Sequence, residues 1–300
     1  MSVSVASEAV PAVHKVSLRG VTKSFTSGDG KRSKVFAAVQ DVTLDVKEGE
    51  FLTLVGPSGC GKTTLLNIIA GFEKPDSGEV LFEGKPITGA SPDRLVIFQD
   101  HGLFPWLTVQ RNVEFGLRVL GLERKERRER AIHYLKMVHL EKFRRSYPLQ
   151  LSGGMKQRAA LARALAVEPR MLLMDEPFAA LDPRTRDILH DELQRLWMQT
   201  KKTIIFVTHS VEEALRLSDR IVMLASQPGR IRRMLNVPLP HPRDFLDPAL
   251  AELRMTILAE LEDELNKLIK TEGDDDWRLD EGKVSVRTRL GMVLGLGDGI

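Results

Sequence analysis

The chain has 300 residues, 42% hydrophobic and 28% charged, a composition that suits a soluble globular protein with a sizeable core. Its 44 basic and 41 acidic residues leave +3, too little to argue for nucleic acid, and its single cysteine excludes a disulfide framework and suits a reducing compartment. No charge-free apolar stretch nears the ~18–20 residues that span a bilayer, so the expectation is a cytoplasmic chain whose membrane contact runs through a partner.

Residues 1–13 lack a basic leader and a continuous apolar core, and read as a flexible lead-in rather than a signal peptide. From His14, "HKVSLRGVTKSF" alternates as a strand does, "TSGDGKRSK" supplies turn residues, and "VFAAVQDVTLDV" resumes the alternation. These segments predict a small antiparallel sheet leading into the apolar run "FLTLV".

"GPSGCGKT" follows that run and precedes the helical pattern "KTTLLNIIAGF". Strand, glycine-rich loop and helix together make a phosphate-binding loop, Gly56, Pro57, Ser58, Gly59, Cys60, Gly61, Lys62 and Thr63, with Thr64 in the helix start. Glycines let backbone N–H groups wrap phosphates, Lys62 reaches the β- and γ-phosphates, and the Thr63 hydroxyl ligates Mg²⁺. Cys60 is read as a small packing side chain, not a nucleophile.

Two short strands are expected at "GEVLFEG" and "RLVIFQD", the second ending on Gln99, an amide that can ligate Mg²⁺ or hold a water. From about 100 to 168 the chain turns helical and highly charged, with Ile132, Leu135, Met137 and Leu140 as the expected inner face of one helix. Strand and helix then alternate through "MLLMD", "PRTRDILHDELQRLWMQT", "KTIIFVTH", "VEEALRLS" and "RIVMLA", the pattern of a parallel sheet covered by helices. The helical block is therefore an insertion in an α/β domain over 14–235.

Several residues at expected strand and helix ends have chemical uses. In "MLLMDEP", an Asp-Glu pair is often only a strand end, but beside a phosphate loop Asp175 can hold Mg²⁺ through its water shell. Glu176 can then polarise the attacking water. His209 ends the next strand, at the edge where open α/β sheets bind ligands, and is read as a γ-phosphate contact. Ser210 and Glu213 fit a capping box, and Asp182 before Pro183 fits an N-cap. "LSGGMKQRAALARAL" opens like an anion-binding helix, with Ser152 as cap and Gly153 and Gly154 baring the backbone. It duplicates the anion site already present at Gly56–Thr63.

The ordered set "GPSGCGKT", "FQD", "LSGGMKQR", "LLMDEP", "ALD" and "VTHS" resembles the ATP-binding cassette ATPases over roughly 14–235. The resemblance implies a P-loop α/β fold with a RecA-like parallel core, an antiparallel β subdomain and an inserted helical subdomain, and it implies ATP and Mg²⁺ as ligands. By that resemblance "LSGGMKQR" is the signature motif, Gln99 the lid glutamine, Asp182 the dimer-contact aspartate and His209 the switch histidine. Phe25 takes the place of the adenine-stacking aromatic, with Phe36 nearby. Cassettes of this family pair head to tail, so Ser152, Gly153 and Gly154 would meet the γ-phosphate held by another subunit's Lys62.

"VIFQDHGLFPWLTVQRNVEFGL" and "SQPGRIRRMLNVPLPHPRD" are further similar to the ATPases of nitrate, sulfonate and taurine importers. That implies two permease subunits, a periplasmic solute-binding protein and a peripheral place on the cytoplasmic face of the bacterial inner membrane. A permease helix would dock by Gln99 and Trp106 unless Leu103, Phe104, Pro105 and Trp106 are core. The segment 236–300 is too short for the regulatory barrel of sugar-type importers. It is expected to hold an amphipathic helix at about 247–270, with Leu250, Leu253, Ile257, Leu261, Leu265 and Leu268 on one face, and then a loose tail. An importer ATPase for another small solute, and a cassette ATPase outside transport, are the alternatives. Against a nucleic-acid role, Glu123, Glu126, Glu129 and Glu141 interrupt the basic block 123–145.

Overall fold

The computed structural model describes residues 14–27, 34–225, 228–243 and 247–272. The expected lead-in at 1–13 and the tail beyond Glu272 lie outside the described residues.

Alternation in the first segments yields β1 (His14–Ser27) and β2 (Lys34–Lys47), which pair antiparallel. With β4 (Ser77–Phe82) and β5 (Lys85–Pro86) they form a four-stranded sheet ordered β2-β1-β4-β5. The second sheet is built from β3 (Phe51–Val55), β6 (Arg94–Ile97), β7 (Met171–Asp175), β8 (Thr203–Thr208), β9 (Arg220–Ala225) and β10 (Arg230–Asn236). Its order is β10-β9-β3-β8-β7-β6, with every neighbouring pair parallel except the edge pair β10–β9. All residues of β3 and β8 are buried, as continuous apolar runs covered on both faces require. The weak alternation of "RIRRMLN" predicts no strand, yet it forms β10, paired on one side only at the sheet edge.

Strand alternation divides the core. Leu172, Met174, Ile204 and Phe206 pack towards the helical insertion, whereas Met171, Leu173, Ile205 and Val207 face the antiparallel sheet and α1 (Lys62–Ala70). The insertion consists of α2 (Val109–Val119), α3 (Arg124–Met137) and α4 (Gly153–Ala166). In α3 the expected inner face needs correction. Ala131, Leu135 and Val138 are the buried positions, with Leu140 beyond them, while Ile132 and Met137 are only partly covered. The spacing i, i+4, i+7 around Ala131 follows the helical period, and a small residue allows close approach to the neighbouring helices.

Two helices complete the parallel unit, α5 (Pro183–Thr200) and α6 (Val211–Leu217). The last helix, α7 (Pro248–Glu272), buries Leu250, Ile257 and Leu261 in a third cluster with Val211, Leu215 and Leu235. Leu253 is partly buried on the same cluster, and the side chains of Leu265 and Leu268 lie outside the described residues. Arg232 and Arg233 on β10 pair with Glu260, Asp263 and Glu264 on α7, so this helix is tied to the sheet edge by charge as well as by apolar contact.

Candidate nucleotide site

Register brings the sequence-predicted residues to one edge. Val55 is level with Thr208, and Asp175 with Val207, on the adjacent strands β3, β8 and β7. The loop after β3, the pair Asp175–Glu176 and His209 therefore leave the sheet side by side.

The loop is held by backbone geometry. Gly61 caps α1 with φ +87°, and a Cβ there would lie 2.5 Å from the carbonyl oxygen of Ala38, so only glycine fits. No side chain caps α1, which leaves its first N–H groups and the positive end of the helix dipole for an anion. Lys62 is buried, and its ammonium donates to the carbonyls of Gly56 at 2.7 Å and Pro57 at 2.9 Å. Cys60 is fully buried beside it, and burial pushes its thiol up, which suits a packing side chain.

A cavity of about 320 Å³ opens over this loop, lined by Ser58, Gly59, Cys60, Gly61, Lys62, Thr63 and Thr64, by Glu176, and by Phe25, Phe36 and Ala38. Phe25 and Phe36 stand opposite one another in the β1–β2 ladder with ring centroids 5.9 Å apart, so the wall carries two aromatic faces. Phe36 is half exposed, and Lys23 lies over the ring of Phe25.

Thr63 donates its hydroxyl to Asp175 Oδ1 at 3.2 Å. Burial pushes the Asp175 carboxyl up, against the pull of that hydroxyl. A hydroxyl and a carboxylate oxygen side by side next to a phosphate cradle are a donor set that fits Mg²⁺, which keeps waters and takes substrate oxygens for its remaining positions. Glu176 follows with φ +44°, a left-handed conformation, while its N–H stays in the ladder on Val207. That turn places Glu176 Oε2 3.4 Å from His209 Nδ1. The His209 hydrogen bond holds Glu176 below its ordinary value, and the same bond raises His209.

Other predicted residues do not reach the cavity. The strand expected to end on Gln99 stops at Ile97, so Gln99 sits beyond the sheet edge and is exposed. Ser152 caps α4, accepting from Met155 N, and Asp182 caps α5, accepting from Thr185 N at 3.0 Å. Ser152, Gly153, Gly154, Asp182 and Gln99 line no part of the cavity around Lys62.

The apolar residues after Gln99 divide as well. Leu103 packs on the core and Phe104 on Phe115, 4.6 Å between centroids, whereas Trp106 is 71% exposed.

The capping box at α6 forms only in part. Ser210 Oγ accepts from Glu213 N, but the Glu213 carboxylate turns away to Thr208 and His190, and Ser210 N donates to Thr208 Oγ1 instead. Burial alone would raise Glu213, yet the hydrogen bonds from His190 and Thr208 hold it below its ordinary value. Sequence spacing pointed to a cap and gave no sign of this buried partner set.

A largely parallel sheet, a glycine loop leading into a helix N-terminus, and a Glu–His pair just past the ends of two adjacent strands define a P-loop nucleotide hydrolase of the cassette type. Residues 39–179 match the family model described as ABC transporter. An uncharacterized ABC transporter ATP-binding protein of Methanocaldococcus jannaschii is 51% identical over 256 residues, 85% of this chain and 94% of the relative. A nitrate import ATP-binding protein of Synechocystis is 47% identical over 211 residues, 70% and 79% of the two chains. An aliphatic sulfonates import ATP-binding protein of Bacillus cereus is 42% identical over 247 residues, 82% and 96%. Among solved structures, a dimeric ATP-binding cassette in a post-hydrolysis state with ADP and phosphate aligns with TM-score 0.66 and 37% identity, over 75% of this chain and all of that one. The chain belongs to the ABC transporter ATP-binding proteins, and it is an ATPase.

Proposed function

We propose that this ATPase is the motor subunit of an importer for a small oxyanion such as nitrate, a sulfonate or taurine, working as a head-to-tail pair with two ATP molecules at the shared interface. The observation that carries the pairing is the placement of Ser152–Gly154. This glycine-bared helix start, with its own dipole, lines no part of the cavity that the same chain builds around Lys62. A second copy turned end for end supplies it with a phosphate. The nitrate and sulfonate names of two relatives support the oxyanion class.

In this reading the P-loop amides and Lys62 take the phosphates, Phe25 or Phe36 takes the adenine face, and Asp182 contacts the second copy. Thr63 and Asp175 would hold Mg²⁺, Asp175 through water, Gln99 would join them only on moving in from its exposed position, and the ion would neutralise charge developing on the β- and γ-oxygens. Glu176 orients and polarises the attacking water, His209 contacts the γ-phosphate, and their mutual bond fixes both side chains. Closure of the pair draws the permease helices together, and hydrolysis lets it reopen. The exposed Trp106 is the proposed permease contact. Among the described residues no helix is long and apolar enough to cross a membrane, which fits peripheral attachment at the cytoplasmic face of the bacterial inner membrane. A periplasmic solute-binding protein completes the system.

Two measurements test it. Specific ATPase activity should rise with protein concentration, and Glu176→Gln should lose about 10²-fold or more in kcat while trapping an ATP-bound dimer by size exclusion. A monomer hydrolysing at full rate at every concentration overturns the pairing.

A further inference from the structure

Glu213 lies in the first turn of α6 and is 6% exposed. Its Oε2 accepts from the Thr208 hydroxyl at 2.5 Å, and its Oε1 lies 3.1 Å from His190 Nε2 on α5. Thr208 Oγ1 in turn accepts from Ser210 N at 3.0 Å, and Ser210 Oγ accepts from Glu213 N at 3.2 Å. The Glu213 carboxylate thus holds Thr208 directly and Ser210 N through the Thr208 hydroxyl, one residue on each side of His209. Burying a carboxylate is costly unless it is fully bonded. A helix cap alone would be met by a carboxylate folded back on Ser210 N, so capping does not account for its inward turn. The side chain instead joins the end of β8, the start of α6 and the body of α5, the helix that Asp182 caps.

We propose that Glu213 is a positioning residue for hydrolysis: it fixes the backbone on either side of His209 so that the imidazole faces Glu176, and it ties this switch segment to α5. The inference rests on the reading that His209 contacts the γ-phosphate. Glu213 lines no part of the cavity around Lys62, and its carboxylate acts through the Thr208 hydroxyl, which in turn holds Ser210 N. Ground-state binding of ATP, which belongs to the P-loop, is not its task.

The test is steady-state kinetics of Glu213→Ala, Glu213→Gln, Thr208→Val and, as reference, His209→Ala, each checked for folding by circular dichroism. Glu213→Ala should lower kcat about tenfold or more, short of the ~10²-fold that an ångström-scale misplacement costs, with KM for ATP within about twofold. Glutamine keeps an acceptor for Thr208 and an amide for His190, so Glu213→Gln should recover most of kcat. Equal losses in the two variants would make the charge, not the positioning, responsible and overturn the proposal. Wild-type kcat in Glu213→Ala beside an inactive His209→Ala overturns the inference and leaves the site reading standing. Wild-type kcat in His209→Ala overturns both. Should Glu213→Ala not fold, Thr208→Val decides, since it keeps the β-branched shape and loses only the hydroxyl: a fall in kcat at constant KM supports the proposal, and an unchanged kcat overturns it.

Discussion

The contact between Glu176 and His209 shifts the two groups in opposite directions, with consequences for stability as well as chemistry. His209 is raised from its ordinary 6.5 by the Glu176 bond, so its contribution is complete below about pH 6.5 and is lost as pH rises through the elevated folded value. Glu176 is lowered from its ordinary 4.5 by the same bond, so its contribution is complete above about pH 4.5 and is lost as pH falls through the depressed value. The pair therefore stabilises most in the window between. His209→Gln should be less stable than wild type in urea titrations at about pH 5.5, and the gap should close at about pH 9. A gap independent of pH would mean that the pair is not ionised. The left-handed backbone at Glu176 is the local device that makes the contact, and no motif spacing announces it.

Among the elements, α4 and α5 meet at a contact that tolerates no extra atom. A Cβ on Gly154 would lie 2.4 Å from Thr185 Cγ2, far inside van der Waals contact. Gly154→Ala should therefore destabilise by roughly 1–3 kcal/mol in thermal denaturation, despite the helix-favouring change. Thr185→Ser removes the opposing methyl, and in that background the same substitution should cost little. This gives Gly154 a packing reason independent of any bound phosphate. The last helix is equally testable: Ile257 is fully buried, and Ile257→Ala should lower stability by about 2–5 kcal/mol at unchanged m-value. A surface helix held only by its Arg–Glu pairs would lose far less.

For the whole molecule, the nucleotide cradle and the Ser152–Gly154 helix start are separate features of one chain, and on the proposed pairing its chemistry would depend on a second copy. On the proposed reading, the exposed Trp106 would extend the same logic to a membrane partner. Trp106→Ala in the assembled transporter should lower solute uptake per ATP hydrolysed, measured in vesicles, and unchanged coupling would remove Trp106 from the permease contact.

The sequence by itself determined the two classes of element, the order of the motifs and the family. Those are local properties: a glycine loop between strand and helix, apolar runs of strand length and a capped helix start are written in consecutive residues. Tertiary structure decided what depends on distant residues meeting. It ended β6 short of Gln99, put Phe36 beside Phe25, chose Ala131 and Val138 over Ile132 and Met137 as the inner face of α3, and paired β10 on the sheet edge. It also turned Glu213 from a cap into the buried partner of Thr208 and His190. Spacing along a chain specifies period and loop length, whereas register across a sheet and the direction of a buried carboxylate are set by whichever neighbours can satisfy them.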